Sequence, residues 1–411
     1  MMCKKIAVVL CIGVVLVCSV LADESKAKSS SAIDPNLLLD KIHGSLYGKC
    51  IGLVLGQPME GWETKITEQK ARDVNSWPIT YYLPNNFDTG LKGFLFGNFD
   101  CYPPNDDTAL MMMGLIALRE NGLNFTAKQL AQIWSKSMDG ACTAEGVALY
   151  NFKREVWPPE SGVKDNPYCQ WIGAQMRVDI WGMIAPGLPQ VAAEYAERDA
   201  CISHAGNGIY AAKYVAVLIS LAMNKQDVRA VVQDALAVIP EHCEYARAIR
   251  DVIACYDRGD DWHKTWQMVD DRYGWNDDGT RVGDFIDQSR YDKKTKTYES
   301  LNARWVHAVP NGAMVVLALL YGKGDFSNSI CLAAMCGYDC DCNGGTVGSV
   351  IGAMIGEKNI PARWKEPLNN RFKTGVHHNF PEELKISDLA AEITGFAKQQ
   401  LKVNEKSVNV N

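Results

Sequence analysis

The sequence is short of strand. Runs that alternate apolar and polar residues are nearly absent from its 411 residues, which argues against a sandwich, a barrel or a parallel sheet. Heptads and low-complexity runs are missing too, so neither a coiled coil nor a compositionally biased chain is indicated. Positive charge is not in excess. The formal net charge is -6, and nothing suggests the basic patch of a nucleic-acid binder. Past the first 22 residues, no apolar stretch is long and uninterrupted enough to cross a bilayer. Stable membrane insertion is not expected.

The first 22 residues are a separate matter. Lys4 and Lys5 precede an apolar run from Ile6 to Val17, and Val20-Leu21-Ala22 follows with a cleavage site. That order is the order of a secretory signal peptide. The alternative is a membrane anchor of about 17 residues, at the lower limit for spanning. The polar A-D-E-S-K that follows favours cleavage. The expectation is a signal peptide over 1–22, a flexible leader over 23–34, one folded domain over 35–400 and a disordered tail over 401–411. The mature chain would be secreted or held in the secretory lumen. Asn124-Phe125-Thr126 is an N-glycosylation acceptor consistent with that route. Fourteen cysteines are present, and Cys3, Cys11 and Cys18 leave with the leader. The remaining number is odd, so at least one is free or pairs between chains. Scattered as they are, most read as small buried apolar residues.

What the chain has in abundance is helix. Apolar residues recur near 3.6-residue spacing over Leu37–Val54, Ala109–Arg119, Ala127–Ser135, Ala192–Met223, Val228–Val238, Val315–Leu320, Ile330–Met335 and Leu384–Leu401. Residues 68–105 and 257–305 are polar and turn-rich and read as long loops. An all-α, single, multi-helix domain follows. Two segments break the helix rules: Gly44, Gly48, Gly52 and Gly56, and Gly348, Gly352 and Gly356. Glycine costs about 1 kcal/mol against alanine inside a helix. Four-residue spacing puts the glycines on one face, where two helices can pack with their backbones close together.

The second ladder follows Asp339-Cys340-Asp341-Cys342-Asn343-Gly344. This begins like a calcium loop, but position twelve, which should be Glu, is Val350. Cys336, Cys340 and Cys342 have no histidine near them to complete a zinc site. A Cys340–Cys342 disulfide would be strained. What remains is a pair of carboxylates at the start of a helix. Asn105-Asp106-Asp107-Thr108, before another apolar helix, is the natural partner, although Asn and Asp there also suit an ordinary N-cap. Trp275-Asn276-Asp277-Asp278-Gly279-Thr280 looks similar but reads as a turn. With Glu60, the two acidic motifs bring five carboxylates. Such a group needs cations to stay ionised, and hard oxygen donors favour Mg²⁺, Mn²⁺ or Ca²⁺.

At this point the chain resembles the ADP-ribosylglycohydrolase family. The resemblance runs over roughly residues 38–357. It rests, in order, on HGSLYGKCIGLVLGQPMEGW, NDDTALMMMGL, the segment from AQMRVDIWG to VLISLAM, NGAMVVLALLYGKGDF and GYDCDCNGGTVGSVIGAMIG. It implies two divalent cations, Mg²⁺ first and Mn²⁺ as the alternative. Their ligands would come from Asn105, Asp106, Asp107, Asp339, Asp341 and Cys342. Asn105 and Cys342 stand where many members have threonine, as does Cys340, and Asn343 or Thr346 could substitute. Glu60 and Asp341 are implied as the catalytic carboxylates, and His204, Asn207 and Asp179 as substrate-binding residues. For His204 a satisfied core histidine, and for Asp179 a structural ion pair, are the competing readings. The implied reaction is hydrolysis at the anomeric carbon of ribose in a small-molecule or ADP-ribosylated protein substrate, by a monomer. Hydrolysis of another ribosyl or glycosyl compound, or a non-catalytic binding or structural role, are the alternatives.

Overall fold

The computed structural model describes residues 34–274 and 305–408. The leader over 1–33, the Trp275–Thr280 turn and residues 409–411 lie outside the described residues. The helices are α1 (Pro35–Gly56), α2 (Thr64–Asp73), α3 (Asp106–Asn121), α4 (Ala127–Ser137), α5 (Thr143–Lys153), α6 (Gly173–Arg177) and α7 (Asp179–Ile184). They continue as α8 (Pro189–Ala200), α9 (Asn207–Ala222), α10 (Val228–Asp234), α11 (Glu244–Asp257), α12 (Trp262–Tyr273) and α13 (Ala308–Gly322). The last are α14 (Phe326–Met335), α15 (Cys340–Ile355), α16 (Ala362–Lys365) and α17 (Ile386–Val408). Among the described residues only β1 (Arg371–Lys373) and β2 (Glu383–Lys385) form a sheet, an antiparallel pair with Phe372 opposite Leu384. The all-α expectation holds.

The centre of the domain is α1 lying antiparallel on α15. Gly44, Gly48 and Gly52 meet Gly352, Gly348 and Gly344 in turn, backbone against backbone, and Gly56 lies on Cys340 and Asp341. No Cβ fits at these positions. Ser45 and Ser349 share a hydrogen bond of 2.8 Å inside the same interface. Lys41 caps the far end, its ammonium 2.8 Å from the Met354 carbonyl. Around this pair, α14 and α13 pack on α15, α17 packs on α1, and α9 sits against α15, α7 and α8. All of α15 except its final residue is buried, as expected for a helix that is apolar on every side.

Four boundaries differ from the sequence reading. Ala192–Met223 is two helices, because the chain turns between Ala200 and Asn207 through Gly206 at φ 53°. That left-handed conformation suits glycine. The polar stretch from residue 257 contains α12, whose N-cap Asp261 accepts from the Lys264 amide at 3.0 Å. Likewise α2 begins before the loop expected at residue 68. The final helix also runs through residues 401–408, where a disordered tail was expected. Good helix formers such as Leu401, Lys402 and Glu405 carry it past the core. No helix among the described residues is long and apolar enough to cross a membrane.

Candidate metal centre

The glycine ladders place the chemistry. Because Gly56 rests on Cys340 and Asp341, the end of α1 and the start of α15 share one point in space. A short turn over Gln57–Met59 leaves α1 and delivers Glu60 there. Asp339 is the N-cap of α15, with Asp341 in its first turn. Asp106 and Asp107 open α3 behind the N-cap Asn105. Two helix N-termini thus point their positive ends at the same carboxylates, which favours negative charge there.

The acidic residues form two adjoining groups that share Asp341. Glu60, Asp339 and Asp341 each place an oxygen within 4.8 Å of the others, as do Asp107, Asp341 and Cys342 with oxygen or sulfur. Asp339 is 4% exposed and Asp341 2% exposed. Each keeps one oxygen with no hydrogen-bond partner. A buried carboxylate without donors is costly, and a bound cation is what such oxygens fit. Burial, helped by Asp106 and Asp107, pushes Glu60 up to about 7. Burial and the nearby Glu60 push Asp341 up to about 7 as well. Asp339 is raised by burial and by Asp341, and Asp107 by burial.

A short relay fixes the group. Gln57 donates to Glu60. The Asn105 amide nitrogen donates to Gln57 Oε1 and lies 3.4 Å from Asp341 Oδ2. Asn105 Oδ1 accepts from the Asp107 amide at 2.9 Å. That oxygen serves the N-cap of α3, and the nitrogen faces Asp341. In this arrangement Asn105 holds Gln57 and the first turn of α3 in place. Cys342 groups with Asp107 and Asp341 where a metal could be held. Its thiol, raised by burial and then by Asp107, donates to Asp107 Oδ2 at 3.4 Å.

Glu60, Asn105, Asp339, Asp341 and Cys342 line a cavity of about 620 Å³, a size suited to a small ligand. Asp106 opens into it alongside Glu60, Asp339 and Asp341. The lining also includes Trp171, Ile172, Trp305 and Val306. The three expected substrate-binding residues are not among the lining residues. Asp179 is fully buried and pairs with Lys49 at 3.1 Å. His204 is 1% exposed, with Nδ1 2.8 Å from Ser203 Oγ, and burial lowers its pKa well below the usual range. Asn207 starts α9, where its oxygen accepts from the Tyr245 amide at 3.2 Å and its nitrogen donates to Gln170 at 2.9 Å.

Two residues central to this arrangement were not singled out in the sequence. Lys49, on α1, is completely buried and stands 3.3 Å from Asp107 Oδ1. Burial works against its charge, but Asp179 and Asp107 together hold it above its ordinary value. A lysine inside a glycine ladder was the signal for it. Arg177, equally buried, pairs with Glu145 and Asp199 at 2.7 Å each and lies 4.7 Å above the Trp134 ring. Glu145 faces the cavity, so Arg177 braces its wall from behind.

The sequence family described as ADP-ribosylglycohydrolase matches residues 34–400. The chain belongs to the ADP-ribosylglycohydrolase family. A solved structure titled an ADP-ribosylglycohydrolase-related protein complex has the same fold, with a TM-score of 0.53 and 17% identity over 88% of this chain and 99% of that one. No curated protein matches the chain. For an ADP-ribosylglycohydrolase family member, a glycohydrolase type of activity follows, and the acidic groups are placed where a divalent metal could bind.

Proposed function

We propose that this chain is a divalent-metal-dependent hydrolase that cuts the ribosyl anomeric bond of ADP-ribose conjugates. One observation carries the reading. Elements from three parts of the chain bring Glu60, Asp106, Asp339 and Asp341 to a single cavity, and Asp339 and Asp341 each retain an unpartnered buried oxygen. The donors are hard oxygens, which suit Mg²⁺, with Mn²⁺ as the alternative. Asp339, Asp341 and Glu60 would hold one cation, and a second would draw on the rest of the expected ligand set, Asn105, Asp106, Asp107 and Cys342. A cation bound there supplies Lewis acidity and an anchor for vicinal ribose hydroxyls.

The chain's own residues do the rest. Glu60, pushed up to about 7, can take or give a proton near neutral pH. Gln57 keeps its carboxyl oriented. The excess of carboxylates favours the positive charge that develops at the anomeric carbon. Trp171, Ile172, Trp305 and Val306 offer an apolar wall to the remainder of the ligand and keep water from it.

The test is release of ADP-ribose from ADP-ribosylated arginine or serine peptides by the full chain with Mg²⁺. Chelation or Asp339→Asn is expected to abolish it. Turnover of a simple glycoside, but not of the peptides, would overturn this substrate in favour of a second reading, hydrolysis of another ribosyl or glycosyl compound. The secretory leader read over residues 1–22 favours that second reading, since a secreted enzyme would not meet modified cytosolic proteins. A chain that binds no metal and is indifferent to Asp339→Asn would be a ligand-binding member instead.

A further inference from the structure

We infer that Lys49 supplies the positive charge of a second cation, so that this centre holds one divalent ion, on Glu60, Asp339 and Asp341. The inference rests on the metal-dependent reading above. It is carried by what surrounds Asp107. One of its oxygens stands 3.3 Å from the Lys49 ammonium, and the other accepts from the Cys342 thiol at 3.4 Å. The ammonium is in turn enclosed. It donates to the Met176 carbonyl at 2.5 Å and is ion-paired to Asp179 Oδ2 at 3.1 Å as well as to Asp107. Its side chain is 0% exposed, so it has neither water nor another acceptor to move to.

A dication seated on Asp107 would lie across one carboxyl group from this fixed ammonium, in a buried setting where like charges repel strongly. It would also displace the Cys342 thiol that donates to the other Asp107 oxygen. The other half of the centre is the opposite case. Asp339 and Asp341 are buried with oxygens that no donor reaches, and the Lys49 ion pairs do not include them. The two halves therefore differ in kind. One has its cation built into the chain, and the other is left to bind one.

The experiment titrates the full chain with Mn²⁺, reading stoichiometry by elemental analysis after desalting and the spin state by electron paramagnetic resonance. One ion per chain, with the signal of isolated Mn²⁺, is expected. The double variant Lys49→Met/Asp179→Asn removes the ammonium together with one of its carboxylates, so the net charge of the group is unchanged and Asp107 is left open to a cation. It is expected to take up a second ion and to show the signal of a coupled pair. Two coupled ions in the unaltered chain would overturn the inference and leave metal dependence standing. A folded double variant that still binds one ion would overturn Lys49 as the cause. No ion in either protein would overturn the metal-dependent reading, and this inference with it.

Discussion

Gly48 and Gly348 touch backbone to backbone: a Cβ on Gly48 would fall 1.9 Å from the Gly348 carbonyl oxygen. The contact decides more than packing. It sets how far α15 sits from α1, and so where Asp341 lies relative to Glu60.

Gly48→Ala should therefore cost stability and function together. Overpacking of this kind typically costs about 1–3 kcal/mol, and backbone on both sides leaves no side chain to yield. Divalent-ion affinity should fall as well, because the halves of the centre are pushed apart. Gly395→Ala is the control. It lies in α17, where a Cβ would meet nothing within 4 Å, so it should stabilise by roughly 0.5–1 kcal/mol. Chemical denaturation of both variants, beside Mn²⁺ titration, checks the pair.

Asp339→Asn tests the ion-binding half directly. The substitution keeps the shape and removes the charge of a carboxylate with an unpartnered oxygen. Metal affinity should drop by more than the roughly 10–100-fold that loss of a supporting residue causes. Without metal the variant should be at least as stable as the parent, since a buried like charge is gone. Isothermal titration and thermal melts in chelator measure the two effects.

The metal-free chain should lose stability as pH rises. Glu60 goes from an ordinary 4.5 to about 7 and Asp341 from 3.8 to about 7 on folding. Both shifts are upward, so the folded state binds more protons than the unfolded one. The contribution of these groups is fully present below about pH 4 and is lost as pH climbs to about 7. Divalent ions should reverse the trend by stabilising the ionised carboxylates. Melting temperatures from pH 4 to 8, with chelator and with Mg²⁺, would show a gap that widens with pH. Glu60→Gln should narrow it.

Arg177→Met should be among the most damaging changes away from the carboxylates. It strands Glu145 and Asp199, each buried and 2.7 Å from the guanidinium. Breaking a buried pair from one side costs about 3–5 kcal/mol. The double variant Arg177→Met/Asp199→Asn should recover part of the loss. Denaturant unfolding of the single and double variants gives the comparison.

Much of this was legible in the chain itself. Glycine at every fourth position of a helix is unfavourable unless another backbone lies against it, so the α1–α15 contact could be read from spacing alone. Acidic residues heading apolar helices marked Asp106, Asp107, Asp339 and Asp341 in the same way. The division of Ala192–Met223 was not legible, because the turn between Ala200 and Asn207, with Gly206 at φ 53°, is short and flanked by helix on both sides. The polar surface of α12 hid a helix whose cap, Asp261, looks like any loop aspartate.

The roles of single side chains were harder to read, for a different reason. Asp179 and His204 looked like pocket residues, yet their partners turn them inward. Asp179 meets Lys49 from 130 positions away, a contact that no local pattern encodes. Asn105 holds the expected place but turns its oxygen to its own helix. The sequence by itself determined the helical class, the tight helix pair and which carboxylates would converge, because those follow from local propensity, periodicity and backbone sterics. Only the tertiary structure decided which carboxylates are already neutralised and which remain open, because charge pairing in a buried site depends on distances between residues far apart in the chain.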